Sequence, residues 1–138
     1  MSVFIDTSGV VSALVATDAA HEVAARAWDD LLSRETLVTT NYTVSELFAV
    51  LQRRAGMGLL HSIADEIVPI LDVYWVDRET HDASVSAFLL ANRRDLSLVD
   101  CVSFVVMRDL GIRRAFTVDP HFADQGFEAI PSPGPFSV

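Results

Sequence analysis

Val3-Phe4-Ile5-Asp6-Thr7-Ser8 (residues 3–8) is the stretch on which the reading of the chain turns. Three apolar residues, two of them β-branched, run directly into an acid. A continuous apolar run of this kind reads as a short strand buried on both faces, as in parallel sheets. Asp6 then stands at its carboxyl end, where open α/β sheets bind ligands. Thr7 and Ser8 are good N-caps, so a helix is expected to start beside Asp6. Burying a carboxylate is costly unless the charge has a partner. Taken alone, Asp6 reads equally well as a capping or turn residue.

Outward from this stretch, short strand patterns alternate with helical ones. A short apolar helix is expected over 8–16, and a second over 19–34 with Asp18 as its cap and Val23, Ala27 and Leu31 as its apolar positions. Residues 36–40 (Thr-Leu-Val-Thr-Thr) read as a strand by their β-branched content. Asn41-Tyr42-Thr43 is expected to turn the chain into a helix reaching Arg54, with Thr43 and Glu46 matching a capping box. Gly56 and Gly58 break that helix, and 59–67 form the next, with Pro69 near its end. Residues 72–76 read as a third strand, with Trp75 in the core or an interface. A helix over 79–92 carries Ala83, Ala87, Leu90 and Ala91 as its apolar positions. Another over 96–110 stops at Gly111. Residues 114–118 read as a fourth strand, 127–130 as a short edge strand, and the three prolines after residue 130 as an extended tail. The alternation predicts a three-layer α/β/α sandwich around a mainly parallel sheet of four to five strands, a single domain over 1–138.

Composition narrows the function. Half of the residues are hydrophobic (51%), so a real core is expected. No apolar run reaches the roughly 20 residues that span a bilayer, and no signal peptide is read at the start. One cysteine, Cys101, allows no internal disulfide, which fits a cytoplasmic setting. The net charge of −9 argues against broad nucleic-acid binding but leaves room for a local basic groove. There is no lysine; all 10 basic residues are arginine.

Four acids hold special places. Asp6 and Asp119 end strands, and so lie on the same edge of a parallel sheet. Glu46 and Asp100 lie in the first turns of helices, and Asp100 has apolar neighbours that demand a partner for its charge. Strand ends and helix starts share the carboxyl-terminal edge, so the four are expected in one crevice. Clustered carboxylates repel and raise one another's pKa, and a hard divalent cation removes that conflict. All-oxygen ligation suits Mg²⁺ or Mn²⁺, which activate water for in-line displacement at phosphorus. No Cys/His cluster suggests zinc, no Gly-rich phosphate loop is present, and no serine sits in a Gly-x-Ser-x-Gly turn.

Phe-Ile-Asp6-Thr-Ser, Thr-Val-Ser-Glu46-Leu, Leu-Ser-Leu-Val-Asp100-Cys-Val-Ser-Phe and Ala-Phe-Thr-Val-Asp119-Pro-His-Phe together resemble the signatures of PIN-domain ribonucleases. Length and order are similar to the VapC-type toxins of bacterial toxin–antitoxin pairs. Each motif is weak alone; four in order across the whole chain are specific. The resemblance implies an endoribonuclease dependent on Mg²⁺ or Mn²⁺ that leaves a 5′-phosphate and a 3′-hydroxyl. It implies Asp6 and Asp100 as main metal ligands, with Glu46 and Asp119 completing the catalytic site through water or a second metal. It implies Ser8 and Thr117 as hydrogen-bond partners of the carboxylates, an RNA substrate, a cognate antitoxin, and a homodimer.

His121 resembles the family's Asp-x-His-Phe and reads as a substrate contact or as a structural residue at the strand exit. Of the arginine pairs, Arg93-Arg94 precedes the Asp100 helix and is the first choice for a phosphate contact. Arg53-Arg54 ends its helix, which favours simple dipole complementation. A non-catalytic PIN-like module that binds RNA or protein is the alternative, motivated by the acidic charge; four acids in one crevice count against it. A phosphatase for small phosphoesters is disfavoured by the missing lysine and by the lack of Asp-x-Asp at Asp6.

Overall fold

A computed structural model describes residues 1–133. The expected tail begins at Pro131 and falls mostly on 134–138, outside the described residues.

β1 (Ser2–Ile5) is the middle strand of a five-stranded sheet ordered β3-β2-β1-β4-β5, with β2 (Thr36–Thr40), β3 (Asp72–Tyr74), β4 (Arg114–Phe116) and β5 (Glu128–Ile130). Every described pairing is parallel. The sheet is covered on both faces, and the period-two alternation of strands assigns each residue to one of them. Val3, Ile5, Leu37 and Phe116 point into the core shared with α1 (Thr7–Leu14), α2 (His21–Arg34) and α3 (Asn41–Ala55), which includes Trp28, Leu47 and Leu51. Phe4, Val38 and Ala115 point into the other core, with Cys101, Phe104 and Met107 of α6 (Leu98–Leu110) and Phe122 of α7 (Pro120–Asp124). That double burial is why Val3-Phe4-Ile5 is apolar without interruption.

The strand order sets where a ligand goes. From β1 the chain builds outward through β2 to β3, then returns to lay β4 on the other side of β1. The reversal makes a topological switch point at the carboxyl ends of β1 and β4, where a crevice opens.

Several local expectations change. Asp6, not Thr7 or Ser8, is the N-cap of α1, and its side chain accepts the Ser8 N–H. Thr40 caps α3 by accepting from Thr43 N, so the helix starts earlier than expected and Glu46 lies in its second turn. Thr43 and Glu46 therefore form no capping box. The box lies instead at Ser97 and Asp100, at the start of α6. The second helix starts at His21 after a turn in which Asp18 accepts from Ala20 N, and it buries Ala24, Trp28 and Leu31. Val23 is exposed.

After Gly56, which sits at φ 81°, α4 (Met57–Ser62) runs on through a wide turn (Ile63–Ile67) and a tight one (Val68–Ile70). β3 stops at Tyr74, and Trp75 is 75% exposed, so it is not a core residue. α5 (Arg78–Ala91) buries Thr80 and Ser84 instead of the apolar stripe; Ala83, Ala87, Leu90 and Ala91 are exposed. The Ser84 hydroxyl donates to the Thr80 carbonyl at 2.7 Å, so a polar inward face costs little there.

Candidate metal centre

Each aspartate of the crevice is placed by the same local device. Asp6 follows β1, caps α1, and accepts the Ser8 N–H on Oδ2. Asp119 follows β4, caps α7, and accepts the His121 N–H on Oδ1 at 2.9 Å. Asp100 lies in the first turn of α6 and accepts the Ser97 N–H on Oδ2 at 3.1 Å, closing the capping box. α6 runs back to the start of β4, which puts its first turn at the carboxyl edge of the sheet. Among the described residues, the second oxygen of each aspartate accepts no hydrogen bond from the protein. One oxygen of each carboxylate is thus pinned to the backbone, and the other is left for a ligand.

Asp6 is held most firmly. Its Oδ2 accepts from the Ser8 hydroxyl at 2.6 Å and from the Thr117 hydroxyl at 2.8 Å. These two hydroxyls lie 3.0 Å apart, and each accepts a backbone N–H from the segment after β4: Val118 N donates to Ser8 Oγ and Asp119 N to Thr117 Oγ1. The network ties the end of β1 to the residues after β4. Gly9 allows the close approach: a Cβ there would lie 2.6 Å from the Phe116 carbonyl oxygen.

Asp6, Glu46, Asp100 and Asp119 all line one cleft of about 340 Å³, which also contains Ser8, Asp18, Ser97 and Arg54. Burial pushes the Asp6 carboxyl up to about 6, and the charges of Asp100 and Asp119 add to this, against the pull of Ser8 and Thr117. Asp100 is also raised by burial and by Asp119, although the Ser97 N–H opposes it.

His121 closes one side. Its Nδ1 lies 2.8 Å from Asp119 Oδ1, outside hydrogen-bond geometry, and 3.9 Å from Asp100 Oδ2. Nε2 lies 3.2 Å from Asp95 Oδ2. Burial lowers the affinity of the imidazole for a proton, but the carboxylates of Asp95, Asp119 and Asp100 outweigh it and raise the pKa. One ligating atom from each of Asp100, Asp119 and His121 falls within 4.8 Å of the others, a spacing that can hold a cation. The donor set is mostly carboxylate oxygen with one imidazole, and it holds no thiolate. It fits a hard divalent ion.

Arg93 is tied to Asp95 by two contacts, Nε to Oδ1 at 3.1 Å and Nη2 to Oδ2 at 2.7 Å. That pair holds Asp95 down at about 2. Arg94 is exposed on the same loop. Asp18 and Arg54, which line the cleft, and Gly9 and Asp95, which lie beside its acids, are among the residues that the sequence did not mark as part of the site. Gly9 had a weak signal, since a glycine inside a helical pattern costs stability and calls for a packing reason. Asp95 and Asp18 lie in loops with no periodicity to place them.

The PIN domain family matches residues 3–128. The 23S rRNA-specific endonuclease VapC20 of Mycobacterium tuberculosis, in strains CDC 1551 / Oshkosh and H37Rv, is 31% identical over 128 residues, which cover 91% of this chain and 95% of the relative. The crystal structure of M. tuberculosis VapC20, described as a sarcin-ricin loop cleaving toxin, superposes with a TM-score of 0.79 at 29% identity, covering 91% of this chain and 95% of that one. With its parallel five-stranded α/β/α sheet and its acids on the carboxyl edge, this chain belongs to the PIN-domain family.

Proposed function

We propose that this chain is a metal-dependent endoribonuclease, the toxin of a toxin–antitoxin pair, working as one domain in the cytoplasm on ribosomal RNA. The observation that carries the reading is the convergence of Asp6, Asp100 and Asp119 from three elements, each with one oxygen unclaimed by the protein, beside Glu46. VapC20, named for cleaving 23S rRNA, supports the substrate class.

Asp6 and Asp100 are the main ligands for Mg²⁺ or Mn²⁺, and Glu46 and Asp119 complete the site. A bound ion of this kind lowers the pKa of water and screens the phosphate charge. The protein does the rest. Ser8 and Thr117 fix the rotamer of Asp6, and the capping box fixes Asp100. The pinned carboxylates orient the attacking water opposite the leaving 3′ oxygen. Water adds to phosphorus, the bond to O3′ breaks, and a 5′-phosphate and a 3′-hydroxyl remain. His121, which lies between Asp119 and Asp95, is the further residue assigned to a substrate contact. A cognate antitoxin and a second copy of the chain are the expected protein partners.

Purified protein incubated with 23S rRNA and Mg²⁺ is expected to produce discrete cuts with 5′-phosphate ends. Excess EDTA, Asp6→Ala or Asp100→Ala should abolish them. Cuts that survive EDTA and both substitutions would rule the mechanism out.

A further inference from the structure

Four carboxylates in a protein of net charge −9 repel the polyanion they are placed to cut. A cation beside them is needed, and the arginines are not equally placed to supply it. Arg93 is chelated by Asp95. Arg114 pairs with Glu35 at 2.9 Å, at the amino-terminal edge of the sheet, and Arg34 pairs with Asp30 on the outside of α2. Arg108 is held by Gln125 and lies over the Phe127 ring. Arg54 is the one arginine that lines the acid cleft among the described residues.

Its position follows from helix geometry. Glu46, Val50 and Arg54 are spaced four apart on α3, so they share one face, and all three line the cleft. Arg54 Nη1 donates to Asp18 Oδ2 at 3.4 Å, across the mouth between α3 and the turn before α2. Asp18 is fixed without Arg54's help, because its Oδ1 accepts the Ala20 N–H at 3.0 Å. The ion pair is long and partly exposed, 41% and 21% for the two side chains, so water screens it and a phosphate can replace the carboxylate easily. A guanidinium also offers two parallel donors, which match two phosphate oxygens better than a single carboxylate contact does.

We infer that Arg54 binds the phosphate of a nucleotide flanking the scissile bond, and that this phosphate displaces Asp18 as the partner of its guanidinium. The inference rests on the endoribonuclease reading above. It adds to the helix-dipole role expected for Arg54, which does lie in the last turn of α3.

Steady-state cleavage of 23S rRNA, repeated over a range of salt concentrations, tests it. Arg54→Ala should raise KM by about 10-fold, the loss of one charge-assisted contact, with kcat within about 2-fold. The slope of log kcat/KM against log salt should become shallower by about 0.7, one phosphate contact fewer on a single strand. Arg54→Lys keeps the charge but not the paired donors, so it should restore the salt slope and only part of the loss in KM. Asp18→Asn breaks the same ion pair but keeps the cation, so its KM should equal or fall below that of the unmodified protein. Arg53→Ala removes an equal charge from the neighbouring position and should change nothing. If thermal melting shows that Arg54→Ala does not fold, Arg54→Gln takes its place with the same expectation. An unchanged KM and salt slope in the Arg54 variant would overturn the inference while leaving the nuclease reading intact. So would an Asp18→Asn variant as impaired as Arg54→Ala, since the ion pair would then matter only structurally. Failure of the unmodified protein to cut with either Mg²⁺ or Mn²⁺ would overturn the nuclease reading, and this inference with it.

Discussion

The Asp6 carboxyl is 3% exposed, yet the metal-ligand role proposed for it needs the ionised form. Burial holds its pKa at about 6 in the folded protein, against 3.8 for the free group. Folded, the group keeps its proton up to about pH 6; unfolded, it loses it near 3.8. Its favourable contribution is therefore complete below 3.8 and is lost as pH rises through about 6. At pH 7.5 in EDTA, Asp6 works against folding by up to about 3 kcal/mol. Asp6→Asn keeps an acceptor for Ser8 and Thr117 without the charge. It should melt higher than the unmodified protein in EDTA at pH 7.5, with the advantage shrinking below pH 6, while RNA cleavage is lost. Thermal melting against pH checks both parts. The hydroxyls that hold Asp6 make a separate prediction: Ser8→Ala and Thr117→Ala should each lower cleavage by about 10- to 100-fold, as loss of a ligand's supporting hydrogen bonds does elsewhere. A rate assay at fixed metal concentration decides it. Asp6 was legible because an acid directly after an uninterrupted apolar run must stand where a buried strand ends, on the ligand-binding edge of the sheet. Which residue caps the helix was open: Asp, Thr and Ser at consecutive positions are all good caps, and only the backbone decides for Asp6.

At the scale of elements, the carboxyl edge is assembled by helices that start where strands end. α1 packs so close to β4 that Gly9 meets the Phe116 backbone, and Asp6 N donates to the Phe116 carbonyl at 3.1 Å. Gly9→Ala is expected to cost about 2–3 kcal/mol through that overlap and to pull Ser8 away from Thr117. Denaturant titration, with cleavage measured below the transition, checks both. Helix existence was readable from caps and glycine stops, and Gly111 ends α6 as expected. Which face a helix buries was less so. In α5 the buried residues Thr80 and Ser84 are small and polar, and the Ser84 hydroxyl donates to the Thr80 carbonyl within the helix, so counting apolar positions selects the exposed side. The capping box was assigned to Thr43 and Glu46 because that pair matches the pattern in sequence. Starting the helix at Asn41 moves Glu46 out of the first turn, and the box falls at Ser97 and Asp100. The capping partner of Asp100 therefore fixes a site residue as well as a helix end.

For the whole molecule, the strand order concentrates negative charge at one switch point. The four acids sit far apart in sequence, and each motif alone is weak; their order across 138 residues made the fold and the crevice readable together. The groups around that crevice were less readable. Arg54 reaches the cleft only because α3 carries it there on the face of Glu46, and Arg93 is drawn aside by Asp95, a loop residue. Such pairings depend on tertiary packing and leave no periodic trace. The central claim is that the four acids form one cation site. Calorimetric titration of the purified protein with Mn²⁺ at pH 7.5 tests it most directly. Saturable binding is expected in the unmodified protein and in Asp29→Ala, a control on the exposed side of α2. Binding should be lost in Asp6→Ala and in Asp100→Ala. No saturable binding in the unmodified protein, or binding unchanged by both site substitutions, would contradict the account.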